Sequence, residues 1–321
     1  MKRVLSGIQP SGKLHLGNYF GAMKQHIDDQ DTFDSFIFIA NFHALTTIQD
    51  AERLRQLTRD VALDYLALGL DPKKACIFRQ SDVPEVTELA WVLSTVTGMG
   101  LLERATSYKD KVAKGIAASV GLFTYPILMA ADILIYRSHI VPVGKDQLQH
   151  IEMTQDMAGY FNNTYGREVF VRPEPKLNEA AIVPGVDGQK MSKSYGNTIE
   201  LFEDAKSARK KIMSIKTDST PVDQAKDPTT CNVFALLKLF SAPQELAEWD
   251  QRYRKPGMGY GDAKKRLAEL FEERFGPARE RRAALEKDAT FVDGVLSESG
   301  GRARTEAEKT MHDVRTACGI A

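Results

Sequence analysis

Two regimes of apolar and polar spacing divide this 321-residue chain. In the first, short unbroken apolar runs are separated by amphipathic stretches. Arg3–Ser6 and Ala75–Arg79 predict strands. Ser35–Ala40 (Ser-Phe-Ile-Phe-Ile-Ala) predicts a strand covered on both faces, because its apolar content does not alternate. Ile140–Val143 predicts a fourth strand. Helical spacing covers Gly17–His26, Ala51–Leu70 (stopped by Gly69 and Pro72), Pro84–Val96 and Gln147–Phe161. Strands alternating with helices predict an α/β fold, a parallel sheet with helices on both faces and ligands outside the strand carboxyl ends.

Beyond Ser194 the pattern becomes helical and charged. Asp204–Met213, Val233–Phe240, Gln244–Trp249 and Asp262–Phe275 predict helices, Gly257–Gly261 and Ser297–Gly301 read as loops, and Thr305–Ala317 reads as a terminal helix. The expected organisation is an α/β domain over residues 1–188, a loop and linker over 189–200, a smaller all-helical domain over 201–300, and a C-terminal helix over 301–321 that returns to the first domain.

Composition narrows the choice of partner. With 43 Lys+Arg against 43 Asp+Glu, a polyanion must bind through a local patch. Lys206, Arg209, Lys210, Lys211 and Lys216 form one candidate patch, and Arg279, Arg281 and Arg282 another; a solvated face is the plain alternative for each. Cys76, Cys231 and Cys318 are far apart and give neither a metal-ligand spacing nor a disulfide framework, which suits a reducing compartment. Polar residues interrupt the N-terminus before an h-region develops. The apolar run Ile116–Ala131 ends at Asp132, short of the roughly 20 residues a membrane span needs. The expectation is a soluble cytoplasmic protein without structural metal or iron–sulfur cluster.

Two segments carry candidate phosphate chemistry. Gly7-Ile8-Gln9-Pro10-Ser11-Gly12, followed by His15-Leu16-Gly17-Asn18, leaves a strand and opens a helix, where backbone N–H groups and the helix dipole favour phosphate. Gly7 and Gly17 would admit a ligand close to the backbone. Gln9, Ser11, His15 and Asn18 supply hydrogen-bonding side chains. The second segment, Lys190-Met191-Ser192-Lys193-Ser194, sets two ammonium groups three residues apart after the run Gly185–Gln189. Together they suit adenylyl transfer from ATP, the lysines meeting charge that grows as pyrophosphate departs. Gly185 and Gly188 fit a loop that closes and reopens.

A third segment reads as a selector. On a helix, Tyr125, Met129 and Asp132 fall at i, i+4 and i+7, on one face. Asp132 is a carboxylate in apolar surroundings, costly to bury without a donor. An indole N–H only donates, so a carboxylate at the end of an apolar pocket suits tryptophan and rejects phenylalanine. A tyrosine hydroxyl could donate to it as well, and an Asp capping or pairing within the core is the structural alternative.

These motifs together resemble a class I aminoacyl-tRNA synthetase, most closely the bacterial-type tryptophanyl enzymes. His15–Asn18 matches the family's first signature, with Asn18 where many members carry histidine, and Lys190–Ser194 matches the second without change. Gly7–Gly12 and Met129-Ala130-Ala131-Asp132 resemble elements of the tryptophan branch. Gly144-Lys145-Asp146-Gln147 resembles a GxDQ element, with Lys145 where many relatives carry glutamate. Likeness extends over nearly the whole chain. It implies a Rossmann-like catalytic domain with a helical anticodon-binding domain, and activation of L-tryptophan to tryptophanyl-adenylate followed by transfer to the 3′ end of tRNA(Trp).

The catalytic set so implied is Gln9, His15, Lys190 and Lys193. Implied ATP contacts are Gln9, Pro10, Ser11, Gly17, Asn18, Gly144, Lys145, Asp146, Ile182, Lys190, Met191, Ser192, Lys193 and Ser194. Implied tryptophan contacts are Asp132, Tyr125, Met129, Gln147, His43, Val141 and Val143. Lys109 and Lys111 are further candidates near the phosphates, and Trp249, Tyr253 and Tyr260 for stacking RNA bases. Mg²⁺ is expected to arrive with ATP, and the resemblance implies a homodimer; no sequence feature marks its interface, the apolar helices between Pro84 and Ala131 being candidates. A tyrosyl-tRNA synthetase and a catalytically silent, RNA-binding paralogue stand as alternatives.

Overall fold

The computed structural model describes residues 1–105, 119–177 and 183–321. They form two compact units: Met1–Gly12, Gln25–Asn178 and Asp288–Ala321 in one, Lys13–Lys24 and Glu179–Lys287 in the other.

The first unit is a five-stranded parallel sheet: β1 (Arg3–Ile8), β2 (Asp34–Ile39), β3 (Ala75–Arg79), β4 (Ile140–Val143) and β5 (Glu174–Leu177), in the order β3-β2-β1-β4-β5. The edge strand β5, Glu-Pro-Lys-Leu, is mostly exposed and carries no apolar run, so the sequence pattern does not announce it. Along β2, Phe36 and Phe38 join one large core cluster, while Ile37 and Ile39 are equally buried outside it. Cys76 and Phe78 against Ala75 and Ile77 repeat this on β3. Successive strand side chains point to opposite faces, so helices cover both faces of this Rossmann-like sheet. The strand order reverses between β1 and β4, which places a ligand crevice outside their carboxyl ends. Gln9 and Gly144 directly follow those ends.

Helix Ala289–Cys318 packs on β3 and buries Ala303, Ala307, Met311 and Val314. It runs through Ser297–Gly301, which the sequence pattern assigned to a loop. The glycine there serves close packing: a Cβ on Gly300 would lie 2.9 Å from Asp82 Cβ. One turn of the same contact carries the hydrogen bond from Cys76 Sγ to the Ser299 carbonyl (3.1 Å).

The second unit is helical: Ala205–Met213, Asn232–Phe240, Pro243–Tyr253 and Tyr260–Lys287. Asp204 caps the first by accepting from Ser207 N–H (3.0 Å). Phe240, Phe271 and Phe275 form its aromatic core, and Tyr19 and Phe20 insert into it with centroids 5.1 Å from Phe275 and Phe240 respectively. That insertion ties the N-terminal turn to this unit. The helix expected over Gly17–His26 is interrupted, with Leu16–Asn18 and Lys24–Asp28 flanking a π-helical turn at Tyr19–Met23.

Candidate active site

In the sheet unit, helix Val120–Ile135 carries Tyr125, Met129 and Asp132 at the expected spacing. Asp132 is 1% exposed. Its carboxylate accepts from Gln80 Nε2 through both oxygens (2.8 and 2.9 Å) and from His43 Nε2 (2.8 Å). Burial pushes its carboxyl up, and the hydrogen bonds from His43 and Gln80 pull it back. Gln80 thus reaches both oxygens, and His43 Nε2 adds a contact to Oδ2, the surroundings of a hydrogen-bond acceptor. His43 stands on the short helix Asn41–Ala44 after β2, and Gln80 on the 3₁₀ turn Gln80–Asp82 after β3. Gln80 Oε1 also accepts from Phe42 N–H (2.9 Å), fixing the two strand ends to each other. A carboxylate offers roughly four lone-pair sites. Three contacts occupy them here, two of them on Oδ2, which leaves an acceptor position on Oδ1.

The Tyr125 ring meets His43 edge-on at 6.4 Å, and its hydroxyl shares a 2.5 Å hydrogen bond with His150 Nε2. Burial holds the His150 imidazole below its ordinary value, with His43 adding to the effect and Asp146 opposing it. Val141 and Val143 are buried two residues apart on β4, on one face, in the same core cluster as Ile127 and Ala130. Met129 is half-buried against that cluster. Gln147 is half-buried and donates through Nε2 to Asp146 (3.2 Å). Gln80 and His150 escaped the sequence reading: neither lies in a motif, and only the fold brings them to Asp132 and Tyr125.

Around the crevice, Gln9 and Ser11 are exposed and Pro10 is buried after β1. Gly7 serves packing instead of ligand approach, since a Cβ there would lie 2.5 Å from the Phe38 ring. Lys145 and Asp146 are exposed on the 3₁₀ turn that follows Gly144. Asp146 does not cap the next helix: Gln147 holds that position without a side-chain hydrogen bond. Ile182, Lys109 and Lys111 lie outside the described residues.

In the helical unit the two signature segments come together. Leu16 N–H donates to the Ile199 carbonyl and Leu201 N–H to the Leu14 carbonyl (both 3.0 Å), pairing His15 antiparallel with Glu200. His15 Nδ1 accepts from Gly17 N–H (3.1 Å), and Asn18 Oδ1 accepts from His15 N–H (3.1 Å). With Nδ1 accepting, the proton of neutral His15 is on Nε2. Burial, then the positive charge of Lys193, lowers this imidazole to about 4 against the opposing pull of Glu200. Of the lysine segment, Met191 is buried while Lys190, Lys193 and Ser194 are exposed; Ser192 Oγ accepts from Ser194 N–H (3.3 Å). His15, Gly17, Asn18 and Lys190–Ser194 thus share one unit, whereas Gln9, Pro10, Ser11, Gly144–Gln147 and the Asp132 cluster belong to the other.

A neutral imidazole within reach of the Lys193 charge, and a buried acceptor at strand ends, are parts an amino-acid-activating enzyme needs. The sequence matches the family described as tRNA synthetases class I (W and Y) over residues 1–276. The chain belongs to that family. It is 54% identical over 319 residues to the tryptophan–tRNA ligase of Rhodopirellula baltica, covering 99% of each chain. It is likewise 54% identical over 321 residues to that of Fusobacterium nucleatum, covering 100% of this chain and 98% of the relative. The crystal structure of Campylobacter jejuni tryptophanyl-tRNA synthetase complexed with ADP and tryptophan superposes with a TM-score of 0.91 at 50% identity, covering 99% of both chains.

For a synthetase of this class the RNA-facing candidates divide by exposure. Trp249 and Tyr253 are buried in the helical core, Trp249 also covered by the Arg252 guanidinium 4.1 Å from its ring centroid, so neither can stack on a base. Tyr260 is half-buried and donates to Asp218 (2.8 Å). Lys206, Arg209, Lys210 and Lys216 are exposed, while Lys211 pairs with Glu203 (2.9 Å). Arg279 forks onto Glu272 (2.9 and 3.0 Å), and Arg282 lies 3.6 Å from Glu286. Among the described residues no helix is long and apolar enough to cross a membrane.

Proposed function

We propose that this chain activates L-tryptophan with ATP to tryptophanyl-adenylate, releasing pyrophosphate, and then transfers the tryptophanyl group to the 3′ end of tRNA(Trp). The observation that carries the specificity is Asp132, a buried carboxylate with one acceptor position left on Oδ1. An indole N–H fills that position. Tyr125, Met129, Val141 and Val143 form the walls of the pocket, and His43 and Gln147 also face the amino acid. Phenylalanine leaves the acceptor unpaired, which a buried site penalises heavily.

ATP contacts are assigned as follows: Gln9, Pro10, Ser11, Gly144, Lys145 and Asp146 in the sheet unit, and Gly17, Asn18 and Lys190–Ser194 in the helical unit; Ile182, outside the described residues, is assigned with them. In the chemical step a tryptophan carboxylate oxygen forms a bond to the α-phosphorus. The bond to the α–β bridging oxygen breaks, and pyrophosphate takes the electron pair. No side chain acts as nucleophile, so positioning and charge stabilisation provide the acceleration. His15, neutral at pH 7, donates through Nε2–H to a phosphate oxygen, and Lys190 and Lys193 meet the charge that grows on the departing pyrophosphate. Mg²⁺ enters as part of the substrate, held mainly by phosphate oxygens and water. The crystal complex of the C. jejuni enzyme with ADP and tryptophan supports both ligand classes.

The helical unit is assigned to tRNA, with Lys206, Arg209, Lys210, Lys216 and Arg281 as phosphate contacts. The chain is further expected to work in the cytoplasm as a homodimer. Amino-acid-dependent ATP–pyrophosphate exchange tests the activity. Exchange with tryptophan alone among the standard amino acids is the expected result. Exchange with tyrosine in place of tryptophan would overturn the specificity, and none with any amino acid would overturn the activity.

A further inference from the structure

The lysine segment sits on a hairpin whose order depends on one residue outside the five-residue motif. Pro184 pairs with Lys190, Gly185 N–H donates to the Gln189 carbonyl (2.7 Å), and Met191 N–H donates to the Val183 carbonyl (2.8 Å). Asn197 is buried to 2% exposure beneath this hairpin and uses both ends of its side chain. Its Oδ1 accepts from Ser192 N–H (2.8 Å), and its Nδ2 donates to Asp187 Oδ1 (2.8 Å) and to the Lys190 carbonyl (3.2 Å). Its own carbonyl accepts from Val186 N–H (3.0 Å).

The carboxamide therefore grips the backbone at Lys190 and at Ser192, on either side of the buried Met191. Lys190 and Lys193 remain exposed, pitched outward from a fixed base. Gly185 is part of this arrangement: a Cβ there would lie 2.4 Å from the Asn197 carboxamide, so only glycine admits it. Asp187 completes it, its carboxyl held below the usual carboxylate range first of all by the Asn197 hydrogen bond. The turn that the sequence suggests is merely loose is a cross-linked one.

We propose that Asn197 is a positioning residue for adenylyl transfer: its carboxamide, braced by Asp187, sets the Lys190 and Lys193 ammonium groups where the transition state needs them. The role rests on the functional reading above. An asparagine suits the task because it donates and accepts at once. An aspartate in its place would still accept from Ser192 but would set a carboxylate against Asp187 and the Lys190 carbonyl.

The test is pyrophosphate exchange by Asn197→Asp and by the Asn197→Asp/Asp187→Asn pair, with melting curves to establish that both fold. Asn197→Asp lowers kcat about 10- to 100-fold, while the KM for ATP and for tryptophan changes less than about threefold. The pair restores a donor at 187 facing an acceptor at 197 and recovers about tenfold of the loss; Asp187→Asn alone costs less than Asn197→Asp. A merely structural role would lower the melting temperature without this rescue. Undiminished kcat in Asn197→Asp, or a folded double variant no better than the single, overturns the role while leaving the functional reading in place. Failure of the unaltered chain to exchange with tryptophan overturns both.

Discussion

Replacing Gln80 with methionine keeps the side chain's length and apolar bulk but removes the donor to Asp132 and the acceptor for Phe42 N–H. The donor bridges both carboxylate oxygens at 2.8 and 2.9 Å, in a site where Gln80 itself is 1% exposed. A hydrogen bond to a charged group contributes about 1.5–3 kcal/mol, equivalent to roughly 10- to 150-fold in a rate or binding constant. Without it, burial pushes the Asp132 carboxyl further up, and His43 alone orients the carboxylate. The kcat/KM for tryptophan should therefore fall about 10- to 100-fold, with the loss easing as pH rises and Asp132 ionises. The KM for ATP should stay within about twofold, because Gln80 touches none of the ATP candidates. The orphaned Phe42 N–H adds about 1–3 kcal/mol of lost stability, read separately as a lower melting temperature. Pyrophosphate exchange with each substrate varied in turn separates these effects. A folded Gln80→Met variant with unchanged tryptophan kinetics, or with ATP and tryptophan weakened equally, would refute the argument.

Lys193→Ala should lower kcat for adenylate formation about 100- to 1,000-fold with little change in ATP affinity; a proportionate loss of affinity in single-turnover measurements would contradict a transition-state role. His15 and His26 are both held down to about 4 by burial, below an ordinary value of 6.5. The unfolded chain therefore takes up protons that the folded chain refuses as pH falls from about 6.5 towards 4, and stability must drop across that window and level out above it. A melting temperature flat from pH 7 to 4.5 would contradict the assignment. Within helix Ala289–Cys318, Gly301→Ala meets nothing within 4 Å and should stabilise by about 0.5–1 kcal/mol. Gly300→Ala pushes a methyl against Asp82 and should destabilise by about 1 kcal/mol net. Equal shifts in two thermal melts would remove the packing explanation.

Four of the five strands were legible because each carries a continuous apolar run, and the two buried faces of β2 follow directly from that. Strand β5 was not, because an exposed edge strand of Glu-Pro-Lys-Leu leaves no apolar signal. Glycines carry packing roles that their sequence context does not announce. Gly7, Gly185 and Gly300 suggest open or mobile backbone in the sequence, yet each is a point where Phe38, Asn197 or Asp82 presses close. The Tyr125–Met129–Asp132 face was legible because helical spacing places residues of one element together. Gln80 lies 52 residues from Asp132, and His150 lies 25 from Tyr125; no local period connects them. Asn197 was missed for another reason: it follows the lysine motif closely, but its role appears only when the hairpin is closed around it. Trp249 and Tyr253 show the converse, being aromatic residues of the right type whose burial removes them from RNA.

The central claim is that Asp132 selects tryptophan through the indole N–H. It is tested most directly by comparing tryptophan with 3-(3-benzothienyl)alanine, which has the same shape but sulfur in place of that N–H. In pyrophosphate exchange the unaltered chain should prefer tryptophan by at least about 100-fold in kcat/KM, and Asp132→Ala should reduce the preference to under about threefold. A preference that survives intact in Asp132→Ala, or that the unaltered chain never shows, would contradict the account.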